Sequence, residues 1–313
     1  MHTLYIVVPC YNEEAVLGET TKRLTDKLER MIGDDLVSPD SRILYVDDGS
    51  SDGTWGLIES FNGQNSFVTG AKLSRNRGHQ NALLAGLMTA MEYCDCAISI
   101  DADLQDDIEV LDQFVTKFED GCDIVYGVRS NRDSDSAFKR ASAQAFYKFM
   151  KFLGVDIVYN HADYRLMSKR ALQGLAEFGE INLFLRGIVT QIGYKTGTVE
   201  YRRAERFAGE SKYPLKKMLA FAFDGITSFS VKPIRVITVI GLVIFIVSLI
   251  MLIYSLVVHA IGQTQVGWTS TIMSVWLLGG LQLMAIGIIG EYIGKAYMET
   301  KKRPRYIIEK IIR

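Results

Sequence analysis

The sequence predicts an α/β domain built on a mostly parallel central sheet, followed by an interfacial helix and two transmembrane helices. Three observations predict it. Apolar strand-like runs alternate with helical patterns up to about residue 200, the βαβα order that builds a parallel sheet with helices on both faces. Two later stretches, 236–258 and 266–290, contain no charged residue, and each exceeds the roughly 20 apolar residues that span a bilayer. Basic and aromatic residues crowd the approach to the first of these stretches.

Strands are expected at 4–9, 42–47, 67–73, 96–100 and 122–128, where short apolar runs are bounded by turn formers. Helices are expected at 14–32, 54–61, 80–93 and 108–118, between those runs. Ligands of such sheets bind beyond the carboxyl ends of the strands. No G-x-G-x-x-G follows the first strand and no P-loop occurs, which argues against a dinucleotide-binding domain and a P-loop enzyme.

The formal net charge of −1 over 313 residues gives no global field for nucleic acid. The basic residues are concentrated instead: Arg202, Arg203, Arg206, Lys212, Lys216 and Lys217 precede the apolar region. Residues 214–231 read as an interfacial amphipathic helix, with Lys216 and Lys217 near one end and Phe221, Phe223 and Phe229 on its apolar surface. A second basic-aromatic stretch occupies 134–154. The run 4–8 is too short for a signal peptide and Pro9 follows at once. Lys232 and Arg235 precede the first span, while Lys295, Lys301, Lys302, Arg303 and Arg305 follow the second. The loop 259–265 carries no Lys or Arg. The positive-inside rule then places both termini and the sheet domain in the cytoplasm, on a multi-pass inner (cytoplasmic) membrane protein. Domain boundaries follow: 1–213 for the cytoplasmic domain, 214–231 for the interfacial helix, 232–294 for the hairpin and 295–313 for a basic tail. The spacing of Cys10, Cys94, Cys96 and Cys122 matches no zinc or redox pattern, so buried free thiols are expected.

The chemistry is expected at the strand ends. Asp101-Ala102-Asp103-Leu104-Gln105 follows the fourth apolar run. Alternation along an extended strand aims Asp101 and Asp103 at one point. Paired carboxylates suit Mg²⁺ or Mn²⁺ shared with substrate phosphates. Pro9-Cys-Tyr11-Asn12-Glu13 follows the first run and Asp47-Asp48-Gly49-Ser50 the second. An acidic side chain there can accept the imide N–H of a pyrimidine, and a neighbouring tyrosine can pack on the base.

These motifs resemble the inverting family 2 glycosyltransferases of GT-A fold. They are most similar to the polyprenyl-phosphate branch that includes dolichol-phosphate mannose synthases and bactoprenol glucosyltransferases. The resemblance continues through Arg75-Asn-Arg-Gly78-His-Gln80, Asp163-Tyr-Arg-Leu-Met167, Phe184-Leu-Arg-Gly187, Arg206-Phe-Ala-Gly-Glu-Ser211-Lys212-Tyr213 and Glu291-Tyr-Ile-Gly294. It covers essentially the whole chain. Two departures are Asp107-Ile108 where the family usually has two prolines, and His161-Ala162 where a glycine is common.

The resemblance implies a nucleotide-diphospho-sugar donor, with UDP favoured over GDP, and a polyprenyl phosphate acceptor. It implies donor contacts at Pro9, Tyr11, Asn12, Glu13, Asp47, Asp48, Lys72, Arg75, Gly78, Asp101, Ala102, Asp103 and Gln105. Metal ligands are expected at Asp101 and Asp103, and catalytic roles at Asp103 and Asp163. Asp163 is given a positioning role ahead of base catalysis, with a buried pair to Arg165 as the alternative. Phosphate and acceptor contacts are expected from Arg129, Arg132, Lys139, Arg140, Arg203, Arg206, Ser211 and Lys212. Gly279, Gly280, Gly287, Gly290 and Gly294 allow close helix approach, within the hairpin or in a homo-oligomer. Two other functions are weighed. A processive polysaccharide synthase is disfavoured because no Gln-x-x-Arg-Trp occurs, and a non-catalytic scaffold or flippase because the motifs are intact.

Overall fold

The computed structural model describes residues 1–130, 161–181, 183–202, 232–260 and 267–313. Arg132, Lys139, Arg140, Arg203, Arg206, Ser211, Lys212 and the interfacial helix expected at 214–231 lie outside them. The described residues fall into two units: the sheet domain, which includes 303–313, and the helical segment through residue 302.

The sheet domain carries eight strands among the described residues, in the order β7-β5-β6-β4-β1-β2-β3-β8. They are β1 Leu4–Cys10, β2 Arg42–Asp47, β3 Val68–Leu73, β4 Cys96–Ser99, β5 Ile124–Arg129, β6 His161–Ser168, β7 Thr196–Tyr201 and β8 Ile308–Ile312. The β2–β1–β4 centre, β2–β3 and β5–β7 pair in parallel. Strand β6 runs antiparallel between β4 and β5. The five expected strands are present. The fourth ends at Ser99, so Asp101 and Asp103 stand in a turn rather than on an extended strand. Any approach of the two carboxylates, close enough for Asp103 to raise the Asp101 carboxyl, comes from this turn and not from strand alternation.

Helices α1 Glu14–Gly33, α2 Thr54–Gln64, α3 His79–Met91 and α4 Leu111–Glu119 fill the crossovers. Helix α5 is Lys169–Ala176 and α6 is Leu185–Gln191. Strands β1 and β2 are buried along nearly their whole length, as expected where helices cover both faces. Helix α1 buries Val16, Leu17, Leu24, Leu28 and Met31. Its buried Lys27 is neutralised by Asp112 at 2.7 Å and Glu109 at 3.4 Å, which ties α1 to the start of α4 and the turn before it. Helix α3 sits so close to the sheet that a Cβ on Gly86 would overlap Val7 and Val46. The four cysteines are free and buried. Burial pushes the Cys94 thiol up to about 12.

Strand β8 was not expected, since the basic stretch 295–313 reads as a tail. It pairs antiparallel with β3, Ala71 facing Ile311 and Lys72 facing Lys310. Lys310 reaches Glu59 at 2.7 Å, and Lys72 reaches Glu309 at 3.5 Å. The final residues thus close the edge that β3 would otherwise expose.

The second unit contains α7 Lys232–Ala260, of 29 residues, and α8 Trp268–Thr300, of 33 residues. Several side chains of each helix lie outside the described residues. Among the described ones, no helix is long and apolar enough to cross a membrane.

Candidate active site

The strand order changes direction around β1, which has β2 on one side and β4 on the other. A crevice opens at such a point beyond the carboxyl ends of the strands. The loop after β1 and the loop after β2 are interlocked there. Asn12, in the left-handed region at φ 55, accepts the Ser51 N–H at 2.9 Å on Oδ1 and donates its own N–H to Ser50 Oγ at 3.0 Å. The Glu13 N–H donates to Thr54 Oγ1 at 3.0 Å, and the Gly53 N–H donates to Glu14 at 2.9 Å. Pro9, next to last in β1, is buried, while Tyr11 stands 47% exposed just beyond the strand. An aromatic ring held out by so constrained a loop is a ready stacking platform.

The two acidic residues after β2 differ. Asp48 accepts the N–H groups of Arg77 at 2.7 Å and Gly78 at 2.9 Å, so it closes the loop between β3 and α3 rather than facing the crevice. Gly49, at φ +66, allows the same loop to approach: a Cβ there would lie 2.6 Å from the Arg75 carbonyl carbon. Asp47 accepts the Ser50 N–H at 3.2 Å, and its Oδ2 is buried without a hydrogen-bond partner. Burial pushes the Asp47 carboxyl up, against the opposing Ser50 contacts. Lys72 pairs with Glu309, Arg75 is exposed, and Gly78 precedes the first turn of α3.

In the loop after β4, Ala102 is fixed to α1 by Thr20 Oγ1, which donates to its carbonyl at 2.8 Å. Asp103 accepts the Gln105 N–H at 3.2 Å. Desolvation pushes the Asp101 carboxyl up. His79 opposes this, while the neighbouring Asp163 and Asp103 add to it. That local excess of negative charge fits a divalent cation, because such ions are often held by one or two carboxylates and complete their shell with phosphate and water. Among the described residues, no group of three or more His, Cys, Asp or Glu side chains forms a complete cage.

Strand β6 brings Asp163 beside this loop, and the Ser99 hydroxyl donates to its carbonyl. Its carboxylate pairs with Arg165 at 2.6 Å and Arg186 at 3.0 Å. Burial pushes this carboxyl up, but Arg186 and Arg165 overcome that and hold it well below the usual carboxylate range. His79 Nε2 lies 3.6 Å from Asp101 and 3.7 Å from Asp163, joining the two. Gln80, next in the chain, accepts the Leu185 N–H at 3.0 Å and so anchors α6. His79 and Arg186 received no role from sequence reasoning. The signal was present in the motifs that contain them, but their convergence on Asp163 is three-dimensional.

Arg129 is held by neighbouring side chains. Its Nε donates to the Tyr201 hydroxyl at 3.2 Å, and Nη2 lies 3.9 Å from Asp106. Asp106 is buried and accepts the Tyr201 hydroxyl at 2.6 Å. Burial and the Asp101 charge push its carboxyl up to about 6. A cleft of about 430 Å³ lies behind this loop, lined by Arg30, Asp106, Asp107, Glu109 and Arg202 among others. Its lining does not include Asp101, Asp103 or Asp163, so its size does not make it the reaction centre.

Residues 5–175 match the family described as Glycosyl transferase family 2, and residues 232–296 match the GtrB C-terminal hairpin. The chain is 56% identical to the uncharacterized glycosyltransferase YkoT of Bacillus subtilis, over 98% of this chain and 91% of that protein. It is 40% identical to the prophage bactoprenol glucosyl transferase homolog of Escherichia coli, over 98% of both chains. It is 39% identical to the SfII prophage-derived bactoprenol glucosyl transferase of Shigella flexneri, over 97% of both. A solved structure of a mannosyltransferase, PcManGT from Pyrobaculum calidifontis, in complex with GDP-Man and Mn²⁺, aligns at TM-score 0.44 and 15% identity, over 97% of this chain and 88% of that one.

Proposed function

Because the chain belongs to glycosyl transferase family 2 and is a glycosyltransferase, we propose that it transfers a sugar from a nucleotide-diphospho-sugar, preferably a UDP-sugar, to undecaprenyl or another polyprenyl phosphate. The observation that carries the acceptor reading is the state of Asp163. A carboxylate clasped by two guanidinia and held far below its ordinary range is a poor general base at neutral pH. A sugar hydroxyl needs such a base. A phosphate monoester, with a second pKa near about 6, is already largely ionised. The likeness to proteins named bactoprenol glucosyl transferase supports the same acceptor, since it runs through the hairpin as well as the sheet domain.

The reaction is a single displacement. A lipid phosphate oxygen forms a bond to the anomeric carbon, the bond from that carbon to the donor diphosphate breaks, and the configuration inverts. Tyr11 stacks on the base and Asp47 accepts from its edge, with Asn12, Glu13 and the Arg75–Gly78 loop holding these groups in place. Asp101 and Asp103 would hold Mg²⁺ or Mn²⁺, which would supply positive charge opposite the departing diphosphate. Asp163 orients the arginines. Arg203, Arg206, Ser211 and Lys212 are proposed to contact phosphates on the strength of the family motif.

The hairpin is proposed to cross the inner membrane twice, with 214–231 at its surface and both termini cytoplasmic. The lengths of α7 and α8, together with the uncharged stretches 236–258 and 266–290, support this. So do exposed apolar side chains such as Val239, Ile250, Leu283 and Ile286, which water would not tolerate in such number. Because β8 pairs with β3, the chain must return to the side that it left. The glycines of α8 are proposed to pack within the hairpin or between copies. Cysteine labelling tests the topology: Gln263→Cys should react from outside the cell and Arg303→Cys only after permeabilisation. The reverse pattern would overturn the orientation.

A further inference from the structure

We propose that Glu309, on the C-terminal strand β8, positions the nucleotide side of the site by holding Lys72 away from Asp47. The inference rests on the reading above that Asp47 accepts the edge of the donor base. It gives that site a positioning residue from the far end of the chain.

Three strands form one row here. Asp47 on β2 is the register partner of Lys72 on β3, and Lys72 is the partner of Lys310 on β8. Like charges directly opposite each other on neighbouring strands are destabilising, so the two lysines need separate anions. Lys310 takes Glu59 at 2.7 Å. Lys72 takes Glu309 at 3.5 Å, and its Nζ lies 6.0 Å from the centre of the Trp55 ring. On the other side of Lys72 stands Asp47, fully buried, with Oδ2 lacking a hydrogen-bond partner. A buried carboxylate oxygen without a partner is costly and attracts a neighbouring cation. The Lys72 charge is already felt there, as one of the influences that oppose the rise of the Asp47 carboxyl. With Glu309 in place, Lys72 is drawn toward β8 and Asp47 Oδ2 stays open for an N–H of the base. Without Glu309, Glu59 remains engaged by Lys310, and Asp47 is the unspent anion in the row. Lys72, expected from sequence as a donor contact, is by this geometry a group to be kept off the base-reading carboxylate.

Strand β8 is a firm support for the contact. The Ile307 carbonyl accepts the Ser74 N–H at 3.0 Å, just past the end of β3. Ile312 packs on the core so closely that a Cβ on Gly70 would lie 3.1 Å from its Cγ1. The Arg313 guanidinium lies over the Tyr93 ring at 4.1 Å. The Glu309 side chain is itself 52% exposed, and an ion pair so exposed adds little stability. Its effect is therefore on where Lys72 stands rather than on folding.

The test uses the full-length enzyme in detergent and calorimetric titration with UDP and with N3-methyl-UDP, which lacks the imide N–H. Glu309→Gln keeps the size of the side chain and removes its charge. It should weaken UDP binding about tenfold, while N3-methyl-UDP affinity and the KM for farnesyl phosphate, a soluble acceptor, stay within about twofold. Adding Lys72→Met to Glu309→Gln should restore UDP affinity to within about twofold of wild type, because the competing ammonium is gone. Lys310→Met breaks the other ion pair of β8 and should leave UDP affinity unchanged. An effect there equal to that of Glu309→Gln would reduce β8 to a cover for the sheet edge and overturn the inference. Unchanged UDP affinity in Glu309→Gln, or no recovery in the double variant, would overturn it as well. A wild type that binds UDP and N3-methyl-UDP equally would instead remove Asp47 from the base, and this inference with it.

Discussion

Arg186 grips Asp163 with two prongs, Nε on one carboxylate oxygen at 3.3 Å and Nη2 on the other at 3.0 Å. The pair has a consequence for stability against pH. Burial works against the Asp163 charge, but Arg186 and Arg165 depress its pKa. A depressed carboxyl stabilises the fold at pH values above its unfolded pKa, about 3.9, and loses that contribution as pH falls toward the folded value. Asp163→Asn should therefore lower the unfolding free energy at pH 7 by about 3 kcal/mol, and the melting temperature with it. The deficit should shrink below about pH 4. A deficit that grows on acidification would contradict the ion-pair account. In turnover, Asp163→Asn should retain more activity than Asp163→Ala, because it keeps a hydrogen-bond acceptor for the arginines.

Asp106 behaves in the opposite sense. Its carboxyl is pushed up to about 6 by burial and by Asp101, only partly offset by the Tyr201 hydroxyl. Ionising it costs the folded state, fully above that value and not at all below the unfolded one. Asp106→Asn, which can still accept from Tyr201, should gain stability relative to wild type at pH 8, by up to about 3 kcal/mol, and little near pH 4. Melting curves at the two pH values decide it: a variant that is relatively weaker at pH 8 would refute the buried, strained carboxylate.

The interlocked loops after β1 and β2, proposed to hold the donor, make Tyr11 and Gly49 separable. Tyr11→Ala should raise the donor KM about tenfold and Tyr11→Phe should hardly change it, since stacking on a base is worth roughly 1–3 kcal/mol. Gly49→Ala places a Cβ 2.6 Å from the Arg75 backbone at a positive φ. It should weaken donor use while leaving farnesyl phosphate KM unchanged. Normal donor kinetics in both Tyr11→Ala and Gly49→Ala would remove the nucleotide from this side of the crevice.

For the metal, Asp101→Ala and Asp103→Ala should each abolish turnover in protein that remains folded and membrane-bound. EDTA should silence the wild type, with activity returning on addition of Mg²⁺ or Mn²⁺. Turnover that persists in EDTA would exclude the two-carboxylate metal site.

The central strands were legible because burial on both faces demands continuous apolar runs, and β1 to β5 carry them. Strand β6 was not. Its Asp163 and Arg165 interrupt the apolar pattern that marks a strand, and the pair they form inside the protein, given as an alternative from the sequence, does not by itself signal one. Strand β7 alternates exposed and buried positions at the sheet edge, and β8 is five residues in a basic context. Neither offers a long apolar signal. At the site, the loops after β1 and β2 and the carboxylates after β4 were readable as loops from turn chemistry and charge. The closing of Asp48 on Arg77 and Gly78, and the meeting of His79, Arg186 and Asp163, depend on packing between distant segments, to which local spacing is blind.

The central claim is sugar transfer to a lipid phosphate, and the most direct measurement of it is identification of the lipid product. Membranes containing the protein would be incubated with undecaprenyl phosphate, a divalent cation and a panel of radiolabelled UDP- and GDP-sugars. The organic-phase product would be analysed by mass spectrometry and by NMR of its anomeric centre. The account predicts one labelled polyprenyl monophosphate sugar, preferentially from a UDP-sugar, with inverted, β configuration from an α-linked donor, absent in Asp101→Ala membranes. Label found only in a polymer, a retained α configuration, or no lipid product from any donor would contradict it.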